Sequence, residues 1–194
     1  KRDTAPVELK ADVQDIAEEE KADPDYVEEE EQVSQSRIYN FGRWEMGGDG
    51  VLEKNTRVLM IGLGDKEGGA KIEDLLTIAK LDLANGRGHE ALGILSLVQE
   101  ELKGIEETPE FLSLRGAANV ISGKPDAAIK DLSVDSLKKF GEIKYWKAMA
   151  LAGLEDWKQA NDNLNSDFTI IDEYPKHIRE KVALTLAEVS LRNA

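Results

Sequence analysis

Glycines in the stretch 57–69, RVLMIGLGDKEGG, are spaced nearly as in a nucleotide-binding turn. In a Gly-x-Gly-x-x-Gly turn directly after a β-strand, backbone amides can approach a pyrophosphate. Gly62 and Gly64 fit the first two positions, but Glu67 occupies the third and the next glycine comes one residue late. A carboxylate at that position would repel the phosphates. Such a site also requires residues 50–65 to form a strand.

The same stretch fits a helix, which is the interpretation we favour. Asn55 or Thr56 would cap this helix, and glycines 62, 64, 68 and 69 would form the turn after it. The helix would pack on its neighbour through Val58, Leu59 and Ile61. Because the sequence downstream has helical periodicity, no parallel sheet is expected. A nucleotide- or cofactor-binding enzyme that uses Gly62-Leu63-Gly64 remains the alternative.

No other group of side chains has the spacing of a catalytic or metal site. The chain has no cysteine, which excludes disulfides and thiolate ligands. Its two histidines, His89 and His177, lie 88 positions apart, and we expect His89 to be an exposed turn residue. The acidic run at residues 23–31 is not a calcium loop, because Glu28 stands where an EF-hand needs glycine. We therefore predict a non-enzymatic protein without cofactor or metal.

The net charge of −14 is concentrated near the start of the chain. Residues 1–32 contain 13 Asp/Glu against four Lys/Arg, so the other 162 residues carry only −5. Because such a surface repels phosphates, we expect neither nucleic acid nor an anionic membrane surface as a partner. No apolar run approaches the roughly 20 residues that a membrane-spanning helix needs. The chain begins at Lys1 without a signal-peptide pattern, so we expect a processed or excised piece. Its compartment (cytoplasm, periplasm or cell envelope) stays open.

Three parts follow from these shifts in composition: an acidic arm at residues 1–36, an aromatic and glycine-rich segment with a capping helix at 37–69, and helical repeats at 70–194. The arm is typical of a solvated, disordered leader. The alternative is a docking segment, because a few apolar residues could form one weakly amphipathic helix before Pro24. Those residues are Val7, Leu9, Val13, Ile16 and Ala17.

Residues 37–50, RIYNFGRWEMGGDG, concentrate aromatic side chains at Tyr39, Phe41 and Trp44. Glycines 47, 48 and 50 then break any helix. We expect a hydrophobic plug over the exposed end of a helical stack. An aromatic platform for a ligand is the alternative.

Small and apolar residues recur at matched positions over residues 72–164. One alanine late in each unit sets the register. These alanines are Ala91, Ala128 and Ala160, spaced 37 and 32 residues apart. Small residues precede them by 12 positions, and leucines follow them by four: Ala79, Gly116 and Ala148, then Leu95, Leu132 and Leu164. Five positions before each alanine, where a helix should stop, stand Gly86, Gly123 and Glu155.

This register resembles the tetratricopeptide repeat (TPR), in which two antiparallel helices form each unit. Helices approach closely only where side chains are small, so Ala79 with Ala91 and Gly116 with Ala128 should mark crossing points. The resemblance covers about half the chain. It implies an all-α fold: a right-handed α-α superhelix, or solenoid, of about 3–3.5 TPR-like hairpins preceded by the acidic arm.

Local signals place the helix ends. Asn85-Gly86 should end the first helix of the first unit, and Thr108 and Pro109 should cap and begin that of the second. We expect Asp126 to cap a short helix, and the third unit to begin near Leu137. A last helix from Pro175 to Leu191 resembles the first helix of a fourth unit. We favour the interpretation that the repeats continue after this helix. The alternative is that the helix caps the stack.

The resemblance also implies a concave groove lined by the first helix of each unit. Its inward residues would be Leu76, Lys80, Leu83, Ser113, Ala117, Val120, Tyr145, Met149 and Ala152. With one cation, an aromatic and a methionine, this set suits an amphipathic helix or an extended apolar peptide. The alternative is that these side chains only pack the helices together.

The sequence therefore predicts a protein–protein interaction scaffold or adaptor within a larger, bacterial assembly. Its partner would be a protein or peptide, including its own arm through Val7–Ala17, and a homo- or hetero-oligomer is compatible with this. A structural spacer whose groove binds nothing is a further alternative.

Overall fold

The computed structural model describes residues 37–47, 50–164 and 169–193, and over these ranges the chain is all-α, without a strand. The predictions for the acidic arm, for Gly48 and for Val7–Ala17 lie outside the described residues. The helices are α1 Phe41–Trp44, α2 Leu52–Leu63, α3 Gly68–Ala84, α4 Gly88–Glu101, α5 Pro109–Ile121, α6 Pro125–Leu132, α7 Ile143–Gly153, α8 Trp157–Asp162, α9 Thr169–Asp172 and α10 Lys176–Arg192. Short 3-10 turns occupy Ile105–Glu107 and Asp135–Leu137.

Three helical hairpins, α3/α4, α5/α6 and α7/α8, form the body of the molecule. Each helix from α2 to α7 contacts the next along the chain. The first helices of neighbouring hairpins also contact each other, α3 with α5 and α5 with α7, and α10 lies against α7 and α8. The main hydrophobic core runs from α3 through α7 to α10, and a smaller cluster lies between α7, α8 and α10.

The small residues of the register lie where helices are closest. Ala79, Ala91, Ala128 and Ala160 are buried. A Cβ on Gly116 of α5 would lie 2.5 Å from Cδ2 of Leu132 in α6, closer than two carbon atoms can approach. These positions are therefore buried, and α5 and α6 approach closely at Gly116; the crossing pairs Ala79 with Ala91 and Gly116 with Ala128 stay a prediction.

Left-handed backbone conformations end the first helix of each hairpin. Gly86 and Gly123 have φ of +73° and +68°, which glycine adopts without steric cost. In the third hairpin Glu155 adopts φ +60° at the matching position. The turn geometry is thus repeated although the residue type changes.

Most of the predicted helix ends agree with the structure. Thr108 caps α5 through a hydrogen bond that its hydroxyl accepts from the Phe111 amide, with Pro109 at the first position. Asp126 does not cap α6, which begins one residue earlier, at Pro125. The first helix of the third hairpin begins at Ile143, because the residues after Leu132 form a short 3-10 turn instead.

Helix α2 replaces the strand that the nucleotide-binding hypothesis needed, so that hypothesis is wrong about residues 50–65. Neither Asn55 nor Thr56 caps it, since it begins at Leu52 and Val51 is its N-cap residue. Leu59 packs on the core as expected. Val58 and Ile61 do not: they are 61% and 71% exposed, because the buried side of the helix is set by Leu59 and Leu63 instead.

Candidate functional site

Residues 37–44, which we call the aromatic segment, lie across the first helices of all three hairpins. Its helix α1 contacts α3. The hydroxyl of Tyr39 donates to the main-chain carbonyl of Ser113 in α5 at 2.9 Å. Tyr39 and Phe41 both contact the ring of Trp146 in α7. We predicted a plug at the end of the stack; the segment lies along its side instead.

A buried carboxylate holds the main chain of this segment. Glu142, the residue before α7, accepts hydrogen bonds at one oxygen from the amides of Ile38 and Tyr39, at 2.9 and 3.1 Å. Its other oxygen accepts the hydroxyl hydrogen of Tyr174 at 2.6 Å. Three donors therefore satisfy a side chain that is 0% exposed. Recognition of consecutive amides depends on the main chain and not on side-chain identity.

Burial affects the ionisation of this cluster. It raises the pKa of the Glu142 carboxyl, and the hydrogen bonds from Tyr174 and from the two amides act in the opposite direction. The pKa values of Tyr39 and Tyr174 lie well above that of an exposed tyrosine, first because of burial and second because of the neighbouring Glu142. Both phenols thus stay protonated, as their roles as donors require.

Aromatic rings give the segment its side-chain contacts. Phe41 is nearly central, with ring centroids 4.7 Å from Tyr174, 5.2 Å from Tyr39 and 5.3 Å from Trp44. The pairs with Tyr174 and Trp44 are edge-to-face, an arrangement that adds about 0.5–1.5 kcal/mol per pair beyond burial. Trp146 donates from Nε1 to the Tyr174 hydroxyl at 3.2 Å. The result is an aromatic cluster in which the rings at positions 39 and 41 are buried.

Charged side chains hold both ends of the segment. Arg37 forms an ion pair with Glu173, just before α10. At the other end Lys80 of α3 lies 5.7 Å from the ring centroid of Trp44 and pairs with Glu110 of α5 at 2.6 Å. The segment therefore runs from the last hairpin back to the first.

The structure brings two of the nine predicted groove residues, Lys80 and Ser113, into contact with the aromatic segment. Leu83, Ala117 and Tyr145 are fully buried, Val120 and Met149 are nearly so, and Leu76 packs partly buried against the core. Ala152 belongs to a separate cluster with Ala160 and Val189, towards α8 and α10. Partner binding by these nine residues stays a prediction, and the burial of most of them is what helix packing requires.

Sequence reasoning missed Glu142 and Tyr174. Their only signal is a carboxylate directly before an apolar helix and a tyrosine before Pro175, and both patterns are common on exposed surfaces. Tyr39 and Phe41 were noticed as an aromatic concentration, but nothing in the sequence indicated that they pack against Trp146.

Among the described residues, no helix is long and apolar enough to cross a membrane, and no group of three or more His, Asp or Glu could hold a metal ion. No protein-family model matches the chain, and no curated protein or solved structure is significantly similar to it. Its function must therefore be argued from the geometry alone.

Proposed function

We propose that this chain is a non-enzymatic protein–protein interaction scaffold, built as a TPR-like right-handed solenoid of about 3–3.5 hairpins. We call the side of α3, α5 and α7 that contacts the aromatic segment the inner face. This face binds an aromatic-containing peptide of a partner protein. The order of helix contacts, the matched left-handed turns and the small residues at the crossing points support the TPR-like arrangement.

One observation carries the binding function: the face of the first helices already holds a peptide, the chain's own aromatic segment. Glu142 accepts two consecutive main-chain amides, and the pocket around Trp146 and Tyr174 encloses the two rings. Main-chain hydrogen bonds and aromatic-lined grooves are both used by proteins that bind peptides from other chains. A partner with aromatic residues two positions apart would bind in the same way once the aromatic segment is displaced.

The test is to open the face and offer the peptide separately. A Tyr39→Ser/Phe41→Ser variant removes both rings from the segment and leaves the residues of the face unchanged. We expect a fluorescent peptide with the sequence of residues 36–47 to bind this variant and not the parent. A peptide that carries the same two serine substitutions is the matched control and should not bind.

Capture from cell extract then identifies the partner. We expect the opened variant to retain a protein that the free peptide of residues 36–47 displaces, and the parent to retain less of it. Circular dichroism must first show equal helix content in both chains. A failure of the peptide to bind the opened variant would exclude the proposed site.

The burial of Leu83, Ala117 and Tyr145 favours a second candidate, a structural spacer whose inner face is permanently filled by its own segment. The spacer predicts that the peptide binds the opened variant but that no protein is captured. The two functions are therefore distinguished by the second experiment.

A further inference from the structure

Helix α10 has an exposed apolar stripe opposite its buried one. Its core side is formed by Ile178, Val182, Leu186 and Val189, all buried. On the other side Leu184 and Leu191 are 72% and 77% exposed. Ala183 and Ala187 are also exposed, and a shallow open depression lies at Glu180, Ala183 and Leu184. We call this exposed stripe, with Ala183, Leu184, Ala187 and Leu191, the open face of α10.

The open face has the composition of a surface that receives a second helix. In the second hairpin the small residue Gly116 lets the side chain of Leu132 lie directly against the backbone of α5. Ala183 and Ala187 offer comparably small side chains between two leucines on α10. Small residues that alternate with leucine permit a close approach of two helices.

The first described residue, Arg37, lies close to the start of α10. Arg37 is paired with Glu173, three residues before α10 begins at Lys176. Nineteen residues separate residue 17 from Arg37, and a random-coil linker of that length has a root-mean-square span of about 25 Å. The 17 residues of α10 are also about 25 Å long. Residues 7–17 can therefore reach any part of the open face without strain in the linker.

Charge favours the arm as the occupant. Residues 7–17 contain three Asp/Glu against one Lys, whereas α10 has four Lys/Arg against two Glu. Lys176 and Arg192 pair with glutamates of the same helix. Among the described residues, Arg179 and Lys181 donate to main-chain carbonyls of Asp172 and Ile121. A helix with a net negative charge would therefore lie beside a helix with a net positive charge.

The arm also has the matching apolar pattern. Leu9, Val13, Ile16 and Ala17 recur at i, i+4, i+7 and i+8, which places them on one side of a helix. Acidic residues, among them Asp12 and Asp15, occupy positions between them. We propose that residues 7–17 dock in cis as a helix on the open face of α10, where they act as the second helix of a fourth hairpin.

A spin label on α10 tests this directly. Because the chain has no cysteine, Leu184→Cys gives a single labelling site on the full chain. We expect a nitroxide there to broaden the NMR amide signals of residues 9–17 several-fold, and less at high salt. Val58→Cys, which places the label at an exposed apolar position of α2, is the matched control and should leave these signals unchanged.

A second variant separates docking from simple tethering. Leu9→Ser/Val13→Ser/Ile16→Ser keeps the charge and the length of the arm but removes its apolar stripe. We expect the broadening to be lost in this variant. Equal broadening in both chains would overturn the proposal, as would equal broadening from the labels at positions 184 and 58.

Mixed samples test whether the arm binds α10 of a second copy instead of its own. Isotope-labelled chains without the nitroxide are combined with unlabelled chains that carry it at position 184. We expect no broadening in the mixture if the arm binds its own α10. Broadening that occurs in the mixture would show exchange of arms between two copies and overturn docking in cis.

Discussion

The carboxylate of Glu142 accepts the amide hydrogen of Tyr39 at 3.1 Å, across 103 positions of the sequence. Through this hydrogen bond and that of the Ile38 amide, the aromatic segment is attached to the start of the third hairpin. The side of the first helices on which Tyr39 and Phe41 lie is therefore covered by a segment of the chain itself.

Removing the Glu142 carboxylate should release the aromatic segment. Glu142→Ala leaves the amides of Ile38 and Tyr39 and the hydroxyl of Tyr174 without their acceptor. We expect a loss of about 3 kcal/mol in the free energy of unfolding. Chemical denaturation gives this value, and hydrogen exchange at the Ile38 and Tyr39 amides should accelerate at the same time. Glu142→Gln keeps one acceptor oxygen and should lose less; equal losses in the two variants would argue against this role.

The free energy of unfolding should decrease as the pH rises, because of Asp82. This side chain is 3% exposed, one of its oxygens has no hydrogen-bond partner, and burial raises its pKa from 3.8 to about 6. The folded state therefore binds the proton more tightly than the unfolded state does. The resulting stability is complete below pH 4 and is lost as the pH rises through 6, by about 3 kcal/mol at most.

Asp82→Asn removes this titration. We expect its free energy of unfolding to exceed that of the parent at pH 7, and the difference to shrink towards pH 4. Urea denaturation at several pH values measures it. Asp126→Asn controls for the loss of one negative charge at an exposed site. A difference between the Asp82→Asn variant and the parent that does not change with pH would contradict the prediction.

Two glycines of the same helix, α4, should respond to alanine in opposite directions. A Cβ on Gly88 would lie 2.7 Å from the main-chain oxygen of Ala118 in the next hairpin, so we expect Gly88→Ala to cost about 2–3 kcal/mol. A Cβ on Gly93 meets open space. Gly93→Ala should therefore stabilise the chain by about 0.5–1 kcal/mol through helix propensity. Thermal melting of both variants checks the pair, and a stabilising Gly88→Ala would show that the hairpins are not packed this closely.

Glu155 should gain from substitution by glycine. Its φ of +60° is strained for a residue with a Cβ, and the matching residues of the other hairpins are glycines. We expect Glu155→Gly to raise the free energy of unfolding, measured by urea denaturation, by about 1 kcal/mol. Gly123 has φ +68°, and no atom lies near a Cβ added there. Gly123→Ala introduces the same steric cost and should lower the free energy of unfolding by a similar amount. A destabilising Glu155→Gly together with a stabilising Gly123→Ala would refute the steric argument.

The features that the sequence predicts correctly are those encoded within a few residues. Thr108-Pro109 begins a helix because a hydroxyl cap and a fixed φ act locally, and Gly86 and Gly123 end helices because they adopt a left-handed conformation. The small residues also indicate the crossing points, since close packing permits little else there. Matched spacing thus predicts the hairpins before any contact is known.

Contacts between distant residues could not be predicted in the same way. The periodicity of α2 does not decide which side is buried, so Val58 and Ile61 were placed on the wrong side. A carboxylate such as Glu142 is usually solvated, and only the approach of the Ile38 and Tyr39 amides makes its burial favourable. The register also gave no indication of which segment covers the first helices.

The path of the aromatic segment has a consequence for how the molecule unfolds. In an array of helical hairpins each unit contacts only its neighbours, so the ends can open one after another. Here Trp44 contacts the first hairpin, Tyr39 the second and Phe41 the third, and they belong to one short stretch of chain. Opening either end breaks contacts that also restrain the other. The segment thus converts a row of separable units into a single cooperative unit.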